Sequence, residues 1–508
     1  KEKFSTQLQN EINDTLSPID LRKIFEAGTP KSFVRELVSA KLIRYLSHIG
    51  QFKESLDLAK IFYNEFPSSK YLSLVSSTES FIENRFIVHP QRIGLLVPLS
   101  GKFSAYGLNI LESVQLAMFA EQTNFELIVK DTAGDPDQTI RMVEELVVKD
   151  HVMAIIGPVL QHTALVASVK SQSLQVPILT LSRRDGLAEL GDYVFRHCLS
   201  DNSQTDALIQ FMSERFGIKN YAVLFPNHPY GEELKDSFVK SVEKKKGAVT
   251  RMEKYPFDQT TFSEQVKKLV GTYYYAGRKD YQTAVNECKT QFQPGSYKFK
   301  KCSEKAQKTL TPWINFGALF IPDYAHAISL ITPALAFEDI VVETDKEELE
   351  KIKKALGRDV RIVKLIGGNG WNSNDLVERA GRYVEGSIFT EGFYAYDNRD
   401  IVKKFTAQFR NYFHRTPQLE EAQAYDSVII INEVLKKYLP KSREAFKKAL
   451  SDINDFEVTT GNIHFDSAGN TYREVYILTI KNGQIVKYSE VFPDNTNIKP
   501  SDTLNDSN

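Results

Sequence analysis

Between Gln91 and Leu181 short apolar runs alternate with amphipathic stretches, and this alternation restricts the fold more than any other feature of the chain. The run Ile93–Pro98 stops at Ser100-Gly101, after which a helical spacing carries Leu108, Leu111, Val114, Leu116 and Met118 toward Ala120. The unit recurs as strand Phe125–Lys130, helix Asp137–Asp150, strand Val152–Gly157, helix Thr163–Ser173 and strand Val176–Leu181. Strands alternating with helices of about 10–15 residues predict an α/β fold, a parallel sheet wrapped by helices. Ligands of such sheets bind beyond the carboxyl ends of the strands. Here those ends are Ser100–Gly101, Asp131–Ala133, Gly157–Gln161 and Ser182–Arg184.

The chain has 508 residues, more than one ordinary core, and length alone predicts about three domains. Its formal net charge is −1, so no global field argues for nucleic acid or lipid. No apolar run approaches the roughly 18 residues a membrane helix needs. The opening KEKFSTQLQN lacks the apolar core of a signal peptide, so either the chain is cytosolic or an export signal has been removed. Cys198, after the apolar YVFRH, reads as a small buried hydrophobe. Cys288 and Cys302 share one polar insertion; they either form a disulfide worth about 3 kcal/mol, if exported, or remain free thiols. No CxxC and no zinc-type His/Cys spacing occurs, and neither a metal nor a cofactor is expected.

Residues 1–88 read as all-helical, with breaks at Gly28–Pro30, Gly50 and Pro67–Ser68. The series Leu42, Leu46, Gly50, Ala59, Phe62, Pro67 resembles one tetratricopeptide helix pair, departing from it at Ser55. His89-Pro90 marks a junction, and the α/β pattern then continues to about Tyr488. Further strands are expected at Tyr221–Phe225, Val249–Tyr255, Ala318–Ile321, Arg361–Gly367, Glu385–Thr390 and Tyr472–Ile480. The insertion 271–312 is basic and tyrosine-rich, either a surface for an acidic partner or a solvated helical arm. The polar tail 493–508 reads as disordered.

The segments IGLLVPLSGKFSAYG, DTAGDPDQTIRMVEELV, AIIGPVLQHTALVAS, VPILTLSRRDGL and YAVLFPNHPYGEELKDSF resemble type I periplasmic binding proteins of the leucine/isoleucine/valine-binding branch. GALFIPDYAHAISLI, IGGNGWNS, YVEGSIFTEGF, EAQAYDSVIIINEVL and TGNIHFDSAGN continue the resemblance, which covers about residues 91–490. It implies two doubly wound lobes with three chain crossings, near Ser200–Gln204, Trp371–Leu376 and Ile453–Val458. Lobe one is then expected at 91–203 and 375–452, and lobe two at 204–374 and 453–488. A helical segment ahead of such a domain resembles the penicillin-binding-protein activators, which are outer-membrane lipoproteins.

The resemblance also implies a ligand cleft between the lobes. A small hydroxyl or amide group after the Gly-Pro turn holds the carboxylate of an amino acid; here Gln161, followed by His162, occupies the position where the family usually has Ser. The family's small second loop is here Ser182-Arg183-Arg184-Asp185-Gly186. Arg184 either grips a carboxylate bidentately or pairs with Asp185 or Glu189. Tyr106 and Tyr230 match aromatic residues that line and close the cleft. Asp323 and Tyr324 end a strand at the same mouth, the acid either binding an ammonium group or capping the next helix. Asn369 stands where amino-acid binders commonly place a carboxylate, which removes the countercharge for an α-ammonium. Trp371 is either a cleft or hinge residue or part of the packing.

No GxSxG, HExxH or GxGxxG is present, and the chain is not expected to be an enzyme. The function expected first is a periplasmic activator or scaffold of a peptidoglycan synthase, anchored to the outer membrane through a lipid on a preceding residue. The alternative is a solute-binding receptor for an ABC-type amino-acid importer. The expected partners are an anionic or amino-acid-like solute, or none, together with a synthase or a transporter, and no nucleic acid.

Overall fold

The computed structural model describes residues 16–340, 342, 349–351, 353–354 and 362–492; the expectation for the tail 493–508 lies outside them. The chain divides into two compact units, Lys1–Cys198 with Ala395–Arg473 and Leu199–Tyr394 with Glu474–Asn508. Elements are numbered in chain order.

Unit one opens with α1 (Pro18–Ala27), α2 (Phe33–His48), α3 (Phe52–Glu65) and α4 (Leu72–Asn84). Ser17 and Asp20 form a reciprocal cap on α1, and Pro18 takes the first position, where its missing N–H costs nothing. Ser32 caps α2 by accepting the Arg35 N–H. The apolar faces meet at Leu42, Ile43, Leu46, Leu58, Phe62 and Val75. Ser55, the departure from the repeat pattern, is fully buried and donates to the Ile43 carbonyl at 2.8 Å. Its hydroxyl is therefore satisfied, which removes the cost of burying it.

The sheet of unit one is β1 (Arg92–Val97), β2 (Glu126–Asp131), β3 (Ala154–Ile156), β4 (Ile178–Thr180) and β5 (Val194–Arg196), all parallel in the order β2-β1-β3-β4-β5. Helices α5 (Ser104–Ala120), α6 (Pro136–Val148) and α7 (Gln161–Leu174) follow β1, β2 and β3. The order reverses beside β1, so the loops after β1 and β3 diverge and open a crevice at the strand ends. The returning segment adds α15 (Asp400–Phe413), α16 (Leu419–Tyr438) and α17 (Arg443–Ser451). It ends in a small antiparallel sheet of β11 (Phe456–Val458), β12 (Gly461–Phe465) and β13 (Thr471–Arg473).

The four N-terminal helices, the helical segment expected over 1–88, fall within this unit. Phe52 and Ile82 share an apolar cluster with Leu96, Val143, Leu146 and Leu174 of the α/β layer. Gly50, at φ +80°, lies so near α7 that a Cβ there would stand 3.3 Å from the Ser173 carbonyl. Arg443 is buried and donates to the carbonyls of Val152 (2.8 Å) and Val147 (3.3 Å), and to that of Arg85. Arg85 stacks on Phe52 at 3.6 Å and Phe86 at 3.9 Å, and burial lowers its pKa to about 10.

Unit two contains α8 (Asp201–Phe216), β6 (Asn220–Pro226), α9 (Pro229–Lys244), β7 (Ala248–Tyr255), α10 (Ser263–Leu269), α11 (Lys279–Gln291), α12 (Tyr297–Lys308), β8 (Ala318–Phe320) and α13 (Ala325–Phe337). It continues with β9 (Lys364–Gly367), α14 (Asn374–Ala380), β10 (Ile388–Glu391), β14 (Tyr476–Lys481), β15 (Gln484–Lys487) and α18 (Tyr488–Val491). The seven strands run in the order β15-β14-β10-β9-β8-β6-β7, with β14 antiparallel to both its neighbours, β10 and β15, and the other pairs parallel. Here the order reverses between β6 and β8, and their ends form the second crevice.

Two expected crossings are displaced. Residues 375–394 stay in unit two, because β10 pairs with both β9 and β14. Residues 453–473 stay in unit one, where the backbone N–H groups of Thr459 and Thr460 bind the Asp426 carboxylate at 2.8 and 3.0 Å. The single strand expected over Tyr472–Ile480 is consequently two strands, β13 in unit one and β14 in unit two. In the insertion, α11 and α12 form a hairpin joined by a Cys288–Cys302 disulfide, and Cys198 is a free, buried thiol. No described helix is long and apolar enough to cross a membrane.

Candidate functional site

In unit one the strand-end loops are tied to one another by side chains that sequence reasoning passed over. Asp131 Oδ1 accepts from the N–H groups of Leu99 (2.7 Å), Ser100 (3.3 Å) and Ala133 (2.7 Å), binding the loop after β1 to the loop after β2. Burial pushes this carboxyl up, but the donors of Ser100, Ala133 and Leu99 outweigh it and leave the pKa below the ordinary value. His162 Nε2 lies 2.8 Å from the Gly134 carbonyl, so it holds that loop to the start of α7. Gln161 is the first residue of α7, and Leu160 before it provides no side-chain cap.

The loop after β4 is built by Thr180, Ser182 and Arg196. Thr180 Oγ1 donates to the Pro158 carbonyl at 3.1 Å, and the buried Ser182 accepts the Arg184 N–H at 3.3 Å. Arg196 Nη1 reaches the carbonyls of Arg183 (3.2 Å) and Arg184 (3.0 Å) and Asp185 Oδ1 (2.6 Å), while its Nε reaches Asn470 Oδ1 (2.8 Å). This corrects the pairing alternative for Arg184. Asp185 is the partner of Arg196, and Glu189 accepts instead from Asn470 at 3.1 Å. Arg183 lies beside Glu420 in the first turn of α16. Burial and the neighbouring Glu421 raise the pKa of Glu420, and Arg183 pulls it partly back. Tyr106, on α5, is 48% exposed and thus accessible to a ligand.

In unit two Tyr230 contacts both Tyr324 and Asn369. Tyr230 follows β6, is buried, and stacks on Tyr324 with ring centroids 4.6 Å apart. Its hydroxyl donates to Asn369 Oδ1 and accepts the Gly370 N–H, both at 3.2 Å. Gly370 is required by this approach, since a Cβ would fall 2.7 Å from the Asp323 carbonyl oxygen and 2.9 Å from the Tyr230 hydroxyl. The Asn369 N–H is held by Gln204 Oε1 at 3.0 Å.

Asp323 is engaged internally. Its carboxylate accepts from the Tyr255 hydroxyl at 2.5 Å and the Tyr324 N–H at 2.7 Å, and burial raises its pKa. Trp371 is wholly buried and donates from Nε1 to the Ile321 carbonyl at 2.8 Å, so the packing alternative holds. Glu391, at the end of β10, accepts from the Gly392 N–H (2.7 Å) and Asn372 Nδ2 (2.9 Å). It was legible only as a carboxylate ending a strand. Among the described residues no group of three metal-ligating side chains occurs.

A periplasmic binding protein family model matches residues 90–272 and 351–484. The chain belongs to that family. It is 27% identical over 157 residues to the Leu/Ile/Val-binding protein BraC3 of Rhizobium johnstonii, covering 29% of this chain and 42% of that protein. It is 23% identical over 392 residues to a leucine-, isoleucine-, valine-, threonine- and alanine-binding protein of Pseudomonas aeruginosa, covering 75% and 86%. Among solved structures, the substrate-binding protein LivJ of Streptococcus pneumoniae in complex with isoleucine matches with a TM-score of 0.51 and 22% identity, covering 78% of this chain and 97% of that one. A solute-binding protein of Rhodopseudomonas palustris in complex with 3,4-dihydroxybenzoic acid matches at 0.54 and 19%, covering 78% and 95%. These similarities show the α/β fold of the family, the helices α1–α4 precede the matched residues, and the relatives named are binding proteins. The match omits residues 273–350, which include the disulfide-linked hairpin.

Proposed function

We propose that the protein is a periplasmic solute-binding receptor that delivers a small carboxylate to an ABC-type importer. The relatives named above support a transport receptor over an activator of a peptidoglycan synthase. The observation that carries the ligand class is the loop Ser182–Gly186 after β4, which carries two guanidinium groups on a backbone clamped by Arg196 and tied through Thr180 to the Pro158 turn ahead of α7. On this reading Arg184, Arg183, Gln161 and Tyr106 receive the solute in unit one, while His162 and Ser182 position the loops. Asp323 and Asn369 already hold internal partners, so a ligand ammonium finds a poor countercharge there.

Calorimetry with benzoate-type and aliphatic carboxylates beside leucine, isoleucine and valine tests this. Carboxylates should bind, and the amino acids should bind at least about thirtyfold more weakly, the effect of losing one buried charge pair. A Kd near 1 μM for an aliphatic amino acid, about −8.2 kcal/mol, would overturn the carboxylate class and favour an amino-acid receptor. The activator reading retains one supporting observation, the helices α1–α4 fused to unit one ahead of the family match. Co-purification of a peptidoglycan synthase with no solute binding would favour it. Anchoring by a lipid on a preceding residue is part of either reading, and labelling with radioactive palmitate in cells tests it.

A further inference from the structure

The hairpin α11–α12 carries a charge pattern unlike the rest of the chain. Between Gly271 and Pro312 stand eight lysines and arginines against three acids, in a chain whose formal net charge is −1. Its one arginine, Arg278, is buried at the base, over the Trp313 ring at 4.3 Å and bonded to Asp280 and to the carbonyls of Gly271 and Thr311. Every exposed cation on the hairpin is therefore a lysine. Lys298, Lys301, Lys305 and Lys308 recur at alternating three- and four-residue spacing and form one exposed row along α12, about 15 Å long at 1.5 Å per residue. None of the four forms an ion pair among the described residues. The apolar side of α12 is already used, with Ala306 buried and Cys302 bonded to Cys288. Tyr297 and Tyr274 are each 72% exposed.

We infer that this hairpin docks on a bilayer surface bearing anionic phospholipid headgroups. Three physical arguments choose that occupant over an acidic protein. Protein interfaces are depleted in lysine, and shape-specific recognition of carboxylates favours the planar arginine fork, whereas the exposed cations here are point charges. Mobile headgroups gather around a row of lysines with no demand for shape complementarity, each lysine strengthening partition by about fivefold. Tyrosine beside such a row has the amphipathic ring that settles at headgroup level. The disulfide keeps the row assembled before docking, so no folding need accompany it.

Vesicle flotation of the whole protein tests the inference. Vesicles of phosphatidylcholine with phosphatidylglycerol should retain the protein and vesicles of phosphatidylcholine alone should not. Binding should collapse between about 0.1 M and 1 M salt, as the screening length falls from about 10 Å to about 3 Å. Replacing Lys298, Lys301, Lys305 and Lys308 by Gln should weaken partition by at least about a hundredfold. The same change at Lys219, Lys240, Lys245 and Lys246, exposed lysines elsewhere in unit two, should leave it within a few fold. Equal retention on neutral vesicles, full retention by the hairpin variant, or equal loss in the control variant would overturn the inference. Absence of vesicle binding by the unmodified protein, with an acidic protein co-purifying through the hairpin, would replace the bilayer by that partner. Thermal melts and non-reducing gels of each variant establish that the fold and disulfide persist, and the lipid and salt arms on the unmodified protein decide the matter without any variant.

Discussion

Replacing Arg196 by Ala should release the loop Ser182–Gly186 while leaving unit one folded. In the structure Nη1 serves the Arg183 carbonyl at 3.2 Å, the Arg184 carbonyl at 3.0 Å and Asp185 Oδ1 at 2.6 Å. A hydrogen bond to a charged group contributes about 1.5–3 kcal/mol to stability. The three share one nitrogen, and Asp185 is half exposed (52%), so water replaces part of the loss. A net cost of about 2–3 kcal/mol remains, which makes local opening roughly 30- to 150-fold more frequent. Hydrogen exchange of the peptide covering Ser182–Gly186 reads this directly, because the Arg184 N–H is held only by Ser182 Oγ at 3.3 Å within the same loop. Arg196→Lys keeps the charge but loses the planar fork, and should recover about a third of the protection. If carboxylates bind as proposed, both variants should lose affinity in proportion to the exchange. Loop exchange within threefold of the unmodified protein, or loss of protection across the whole of unit one, would refute the reasoning.

Three further outcomes are expected. Asp426 is fully buried and accepts from the N–H and hydroxyl groups of both Thr459 and Thr460, so Asp426→Asn turns an amide donor against two of these donors. It should cost about 3 kcal/mol in denaturant unfolding. Glu144 is pushed up by burial, but His48 and Lys170 outweigh this and bring it from 4.5 to about 2. Its contribution, at most about 3 kcal/mol, is therefore present above pH 4.5 and lost as the pH falls toward 2, so Glu144→Gln should flatten the acid limb of a stability–pH profile. Replacing Cys288 and Cys302 by Ala should remove about 3 kcal/mol of constraint from the hairpin alone, seen as proteolysis between α11 and α12 at an unchanged global melting temperature.

The alternation of apolar runs and helical stretches made the strand and helix order legible, because hydrophobic period depends on local neighbours alone. Boundaries that depend on pairing were not legible. Tyr472–Ile480 reads as one strand in sequence, yet Tyr472 pairs with His464 in unit one and Ile477 with Thr390 in unit two. Only the charged pair Arg473-Glu474 marks the change locally. The three-residue strand β5 gave too short a run to register. At the site, the residues at strand ends were found by position. Those that hold them were missed, since Arg196 and Asp131 act through bonds to backbone atoms of loops that are distant in sequence. Trp371 resolved to packing because its indole N–H finds a carbonyl within the core.

Asn369 shows how such a departure from a family pattern is maintained. Its neighbour Gly370 lies against the Asp323 carbonyl oxygen, and Asp323 carries a carboxyl already pushed up by burial. A carboxylate at 369 would accept the same Tyr230 hydroxyl, but it would have to stay ionised at a partly buried position, where burial opposes the charged form. The neutral amide keeps the Tyr230 bond without that cost. The Gln204 side chain and the Tyr230–Tyr324 stack are thus consistent with a loop arranged around an amide. In unit one the direction is opposite, toward added positive charge at Arg183 and Arg184. A neutral amide at 369 gives an ammonium no countercharge on the unit-two surface, and Arg183 and Arg184 favour a carboxylate on the unit-one surface, so each surface taken by itself favours an anionic solute over an amino acid.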